Sequence, residues 1–214
     1  MENTVITVSH QKGGVGKSTV ALNIAVELSK EYNVGVIDLD HQRSMTIFQN
    51  IRETKTNKKL NVLLAENNEL LMDIMNKFEG ILIIDSGGFD SDLNRIAMLG
   101  SDMIITPVSN SLIELYGLEK FKITLGELKE ANPNIKAHIL LNNISPSATT
   151  LVDELKEFLL EDEKFDVLKG IMRQRVDYRK SFELGKSVVE MDSKSKAAKE
   201  VTLIIEHLKD LLEL

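Results

Sequence analysis

Cysteine and tryptophan are absent from the 214 residues, and there are only 3 prolines and 12 glycines. The missing cysteines remove disulfide scaffolds, Cys-ligated zinc, iron–sulfur clusters and thiol chemistry together, and they are compatible with a reducing compartment. Scarce Gly and Pro beside abundant Ile, Leu and Val exclude collagen-like, low-complexity and disordered chains. Aromatic residues make up 5%, which argues against recognition of nucleic acid by base stacking. Long apolar runs are missing too: stretches such as Ile81 to Ile84 fall far short of the ~20 residues that span a bilayer. The opening Met-Glu-Asn-Thr followed by Val5-Ile6-Thr7-Val8 lacks the charged and apolar regions of a signal peptide, so a cytoplasmic protein is expected. Basic residues number 26 against 33 acidic, a net charge of -7, so polyanion binding has to come from a local patch.

What is present is an alternation of short β-branched runs with longer helical patterns, the signature of parallel βαβ units. Strands are predicted at Val5 to Ser9, Val34 to Ile37, Ile81 to Ile84, Met103 to Pro107 and Ala137 to Leu141. Helices are predicted near Lys17 to Tyr32, Leu112 to Ala131, Thr149 to Leu160 and Lys196 to Leu214. Residues 52 to 59 form a polar run that reads as a solvated loop. The last helix carries Val201, Ile204, Ile205, Leu208, Leu211 and Leu212 on one face, with Glu206, Lys209, Asp210 and Glu213 opposite; anionic lipid would repel that polar side, so docking onto a sheet is expected. With no linker or internal repeat, one domain over 1–214 is expected: a doubly wound α/β fold with a mainly parallel sheet flanked by helices, whose ligands bind at the carboxyl edge of the strands.

At that edge, after the first strand, stands Lys12-Gly13-Gly14-Val15-Gly16-Lys17-Ser18-Thr19, and then a helix. Glycines let successive N–H groups turn inward around a phosphate, and the helix start adds unpaired N–H groups and its positive dipole end. Lys17 is placed to reach the β and γ oxygens, Ser18 to ligate Mg²⁺ and Thr19 to hold the α-phosphate region, so the expected ligands are a triphosphate and Mg²⁺, the triphosphate becoming ATP by the resemblance that follows. Gln11 and the Gly13-Gly14 pair depart from the general P-loop pattern and, with Lys12 at the head, give a deviant Walker A loop. The other reading is a glycine-rich turn with incidental lysines.

The chain here resembles the ParA/MinD family of ATPases, over nearly its whole length. Val36-Ile37-Asp38-Leu39-Asp40-His41-Gln42 is similar to the family's second motif and Ile81 to Asp85 to its Walker B, while Thr106-Pro107-Val108 and Gly185 through Val201 also match. Within the family it looks most like small plasmid-partition ParA proteins of the ParF kind. The resemblance implies that Lys12 reaches the nucleotide of a second copy in an ATP-bound dimer, and that Asp40 orients or activates the attacking water. It implies that Asp85 holds Mg²⁺ through water and that Asn142 reads the base. Asp38 has two readings, metal support or a loop cap, and Asn142 could equally serve a turn. Ser86-Gly87-Gly88 and His41 stand where the family usually has proline; His41 reads as a tolerated loop residue.

From Lys169 to Lys199 nine basic residues face four acidic ones, whereas Thr150 to Leu168 holds seven acidic and two basic. Family resemblance makes the basic segment a contributor to sequence-independent DNA binding, with Arg173, Arg175, Arg179 and Lys180 as candidates; two patches on a dimer would release about twice the counterions of one. A solvated helix face, or a loop in which Arg173 lines the base pocket, is the other reading. The resemblance implies slow ATP hydrolysis stimulated by a centromere-bound, ParB-like adaptor, nucleoid association of the ATP form, and plasmid or chromosome segregation. Rival expectations are a MinD-like or chemoreceptor-type positioning ATPase and an amide-ligase-like enzyme similar to dethiobiotin synthetase. A tyrosine-kinase relative would need a tail of tyrosines, and only Tyr32, Tyr116 and Tyr178 exist.

Overall fold

The computed structural model describes residues 3–109, 112–148, 150–160 and 165–214. Thr149 and the acidic run at 161–163 lie outside the described residues. Seven strands form one sheet: β1 (Thr4–Val8), β2 (Val34–Asp38), β3 (Asn61–Leu63), β4 (Ile81–Asp85), β5 (Met103–Val108), β6 (Ala137–Ile144) and β7 (Phe165–Arg173). Their spatial order is β3-β2-β4-β1-β5-β6-β7 and every pairing is parallel. The helices are α1 (Lys17–Leu28), α2 (Ser44–Thr56), α3 (Asn68–Lys77), α4 (Asp92–Leu99), α5 (Leu112–Ala131), α6 (Thr150–Leu160), α7 (Val176–Glu183), α8 (Val188–Met191) and α9 (Lys196–Leu212).

The period-2 alternation of each strand sorts its side chains between two cores. Ile6, Val8, Val36, Ile81, Ile83, Ile105 and Leu140 face α1, α2 and α9. Val5, Ile37, Leu82 and Ile84 face α3 and α4, while Ile104, Ile139 and Leu141 face α5 and α6. Helix α1 is apolar on nearly all sides, with Val20, Ala21, Leu22, Ile24, Ala25, Val26 and Leu28 all buried. That pattern requires cover from every direction, and the sheet, α2, α8 and α9 provide it. The loop preceding α1 is therefore mounted on a helix set into the core.

Five elements differ from the sequence expectation in an instructive way. The polar run 52–59 is no loop at its start: residues 52–56 complete α2, and Arg52 is buried, donating to both carboxylate oxygens of Glu190 (2.6 and 3.1 Å) and to the Gly185 carbonyl (2.9 Å). Burial alone would raise the Glu190 pKa, but Arg52 and Lys58 overcome it and bring it down to about 2. Strand β7 went unpredicted because Asp166, Lys169 and Gly170 interrupt its apolar pattern; it is an edge strand with register shifts against β6, and Gly170 takes φ 97°. Strand β3, only three residues long, closes the other edge. Helix α1 ends at Leu28, four residues before Tyr32, in a turn. Helix α9 docks through Val201, Ile204, Ile205 and Leu208, but Leu211 at its end faces solvent.

Candidate nucleotide-binding site

Strand β1 lies between β4 and β5, so its carboxyl end opens where the connections diverge to either side of the sheet, the position at which α/β folds bind ligands. The loop from Lys12 to Gly16 leaves this end. Gly14 (φ 82°) and Gly16 (φ 93°) both take left-handed backbone, and Gly16 is the N-cap of α1. A Cβ on Gly16 would meet the Asn142 amide nitrogen at 2.3 Å, so glycine is required there on two counts. No side chain caps α1 and its first turn carries no acid, whereas α3, α4, α8 and α9 start on capping Asn67, Ser91, Ser187 and Ser195. The first N–H groups of α1 are thus left for a ligand.

Lys17 is buried, its Nζ donating to the Lys12 carbonyl at 3.2 Å. Burial lowers its pKa, against which Asp85 and then Asp40 pull upward. The lysine is an ammonium withdrawn from water and only partly compensated, a condition that phosphate oxygens relieve. Lys12 is held through its backbone, its N–H donating to His10 Nδ1 at 3.0 Å, and the His10 ring stacks on Phe121. His10 and Phe121 support the loop from beneath, a role that no sequence pattern announces.

Register sets three strand ends side by side, Val8 opposite Asp85 and Asp38 opposite Asp85. Asp38 accepts from the N–H groups of Met45 (2.9 Å), Thr46 (3.3 Å) and Asp40 (3.2 Å). Met45 and Thr46 lie in the first turn of α2, so Asp38 caps that helix from a distance, and its pKa is raised by burial with the three amides pulling it back. Of the two readings open for Asp38, this geometry accounts for it as a cap. Asp85 differs: both carboxylate oxygens are buried without a hydrogen bond of normal geometry. Burial pushes its pKa up to about 7; Ser18 draws it down, Asp38 pushes it up, Lys17 draws it down and Asp40 pushes it up. A carboxylate orphaned beside a serine hydroxyl at a phosphate loop fits Mg²⁺, which takes oxygen donors and is held by one or two carboxylates plus substrate phosphates. Asp40 is half-buried at the same edge, accepting from Gln42 N–H at 2.9 Å.

The raised pKa has a sign that can be measured. Between pH ~4 and ~7 the folded, ligand-free protein holds a proton on Asp85 that the unfolded chain releases, so this group's contribution to stability is full below pH ~4 and is lost as pH rises through ~7. The loss amounts to at most on the order of 4 kcal/mol. Asp85→Asn should therefore raise the melting temperature of the nucleotide-free protein at pH 8 and leave it nearly unchanged at pH 4. Equal shifts at both pH values would contradict the assignment.

Beside the loop is a cavity of ≈ 230 Å³ walled by Gly16, Thr19, Asn142, Asn143, Arg173 and Tyr178, among others. Asn142 donates Nδ2–H to the Val15 carbonyl at 2.7 Å. Because that carbonyl can only accept, the amide orientation is fixed and Oδ1 is left as an acceptor. Arg173 donates to the carbonyls of Ser145 (2.8 Å) and Ala148 (3.3 Å). Arg175 binds Glu200 of α9 through Nε (2.8 Å) and Nη2 (2.6 Å), and Tyr178 Oη donates to the same carboxylate at 2.9 Å. Of the four basic candidates, Arg173 and Arg175 are thus built into the cavity wall, and Arg179 and Lys180 lie exposed on α7.

Loop, buried lysine and orphaned aspartate on a parallel sheet define a P-loop nucleotide-binding protein. The profile of the CobQ/CobB/MinD/ParA nucleotide-binding domain matches residues 6–188, and the chain belongs to that family. It is 22% identical over 196 residues to the maintenance of carboxysome distribution protein A of Halothiobacillus neapolitanus, with 90% of each chain covered. Protein ParA of Rhizobium radiobacter is 24% identical over 194 residues, covering 89% of this chain and 87% of its own. Among solved structures, a plasmid partition protein from Borrelia burgdorferi bound to AMPPNP superposes with a TM-score of 0.75 at 20% identity, covering 98% of this chain and 99% of that one. The chain thus has the nucleotide-binding domain of the CobQ/CobB/MinD/ParA family over most of its length.

Proposed function

We propose that the chain is a ParA-type partition ATPase, which binds ATP with Mg²⁺, dimerises across the bound nucleotide, holds DNA without sequence preference, and lets go after slow hydrolysis stimulated by a ParB-like adaptor. The observation that carries this is the uncapped glycine loop bearing Lys12 and Lys17 above the orphaned Asp85. Gly13, Gly14, Val15, Gly16, Lys17, Ser18 and Thr19 hold the phosphates. Ser18 and Asp85 hold Mg²⁺, which neutralises phosphate charge when bound, and Asp38 keeps α2 in place beside them. A second copy's Lys12 adds a cation where charge develops on the γ-phosphate. Asn142 meets the base, which the family resemblance makes adenine, with its Oδ1 acceptor and its second Nδ2–H.

Two partner readings follow from the surface. Helix α9 spends its apolar face on the protein interior, and among the described residues no helix is long and apolar enough to cross a membrane; DNA is the surface this reading assigns. Arg179 and Lys180 are the side chains to reach it. The joint variant Arg179→Glu, Lys180→Glu should weaken binding to arbitrary DNA in the presence of ATP by about tenfold or more and reduce the salt slope by about two charges per protomer, with ATP hydrolysis unchanged. A gel shift on arbitrary DNA with ATP, ADP or no nucleotide tests the reading as a whole. Retardation only with ATP supports it. Binding to liposomes in place of DNA would make the chain a surface-organising protein of the MinD kind.

A further inference from the structure

We propose that His41 and Phe89 form a positioning latch that couples the Asp40 carboxylate to the state of the phosphate loop; this rests on the ATPase reading above. Their rings are parallel to within 3° with centroids 5.3 Å apart. Both are largely exposed, Phe89 by 46%, so neither is held in place by the core. An exposed phenyl after Gly87-Gly88 has no packing reason to be there; its partner in the structure is the ring beside Asp40.

Each ring is fixed to a loop braced by its own hydrogen bonds. On the β2 side, Asp40 N–H donates to Asp38, Gln42 N–H to the Asp40 carboxylate, Arg43 N–H to the Asp40 carbonyl at 3.0 Å, and Arg43 Nη1 to the Asp38 carbonyl at 2.9 Å. Residues 38 to 43 are closed into a tight turn that carries Asp40 and His41 together. On the β4 side, buried Asn94 straps the loop, accepting from Gly87 N–H at 3.2 Å and donating to the Phe89 carbonyl at 2.6 Å. Between Gly87 and Phe89, Gly88 lies against the phosphate loop itself: a Cβ there would sit 2.9 Å from both N and Cα of Gly13. Gly88 packs against Gly13 with no side chain between them, so a rearrangement of the Gly13 backbone as the loop takes up phosphate bears directly on Gly88. Its displacement carries Phe89, the stack carries His41, and the turn carries Asp40. The connection runs from the loop that senses phosphate to the carboxylate that orients water.

The test is single-turnover ATP hydrolysis by the full chain, with ATP affinity from calorimetry and melting temperature from a thermal scan. His41→Ala and Phe89→Ala should each slow hydrolysis by about 2- to 12-fold, the range an aromatic pair supplies, with ATP affinity and melting temperature unchanged. The double variant should be no slower than the slower single one, and His41→Phe, which keeps a flat ring, should restore the rate. Gly88→Ala should slow hydrolysis as well. Unchanged single-variant rates, independent effects that multiply in the double variant, no rescue by His41→Phe, or loss of ATP binding would each overturn the latch. Failure of the unsubstituted protein to bind ATP would instead overturn the ATPase reading beneath it.

Discussion

Lys17→Ala is expected to abolish measurable nucleotide binding. The buried ammonium stands at the start of α1 and donates to the Lys12 carbonyl, inside the loop assigned to the phosphates. Charge-assisted hydrogen bonds contribute about 1.5–3 kcal/mol each, so losing two phosphate contacts weakens affinity by about 10²- to 10⁴-fold. Because burial already disfavours the ammonium, removing it costs the empty protein little, and its melting temperature should hold or rise. Calorimetry with ATP and Mg²⁺ alongside a thermal scan separates the two effects. Tight ATP binding by a well-folded Lys17→Ala variant would refute the loop assignment.

Asp40→Ala is the second large effect: ATP still binds, hydrolysis slows by about 10²- to 10⁴-fold as expected for loss of a positioned general base or water-orienting group, and the ATP-bound dimer persists. Asp40 meets the start of α2 only through its backbone, which alanine keeps, and among the described residues its one side-chain hydrogen bond is from Gln42 N–H in its own turn, so the variant keeps its fold. Size-exclusion chromatography with ATP and Mg²⁺ should show a dimer peak that outlasts that of the unsubstituted chain. Monomeric elution under those conditions would refute the role assigned to Asp40.

Much of this site was readable in one sequence because its chemistry is local. A strand, a glycine loop, a lysine, a serine and a helix stand within fifteen residues, and Asp38 and Asp85 each end a β-branched run. Their sharing of one face follows from strand parity, since Asp38 continues Val34 and Val36 and Asp85 continues Ile81 and Ile83. What was illegible depends on partners far along the chain. Arg52 reads as solvated until Glu190 is brought to it, and Arg175 counts as surface charge until Glu200 claims it. Charge counting cannot distinguish a guanidinium spent inside the fold from one presented to a ligand. Strand β7 was hidden because an edge strand needs apolar residues less, and its polar ones blur the alternation.

The strand order also governs how the molecule is born. Strand β1 is made well before its neighbours β4 and β5, which begin at residues 81 and 103, and the cavity wall is closed by Arg173. A nascent chain exposes the glycine loop long before anything can hold it in shape, and such sequence-distant pairing is slow to form. Nucleotide therefore cannot template the early stages of synthesis: the chain must emerge as far as Arg173 before the cavity beside the loop can be drawn shut.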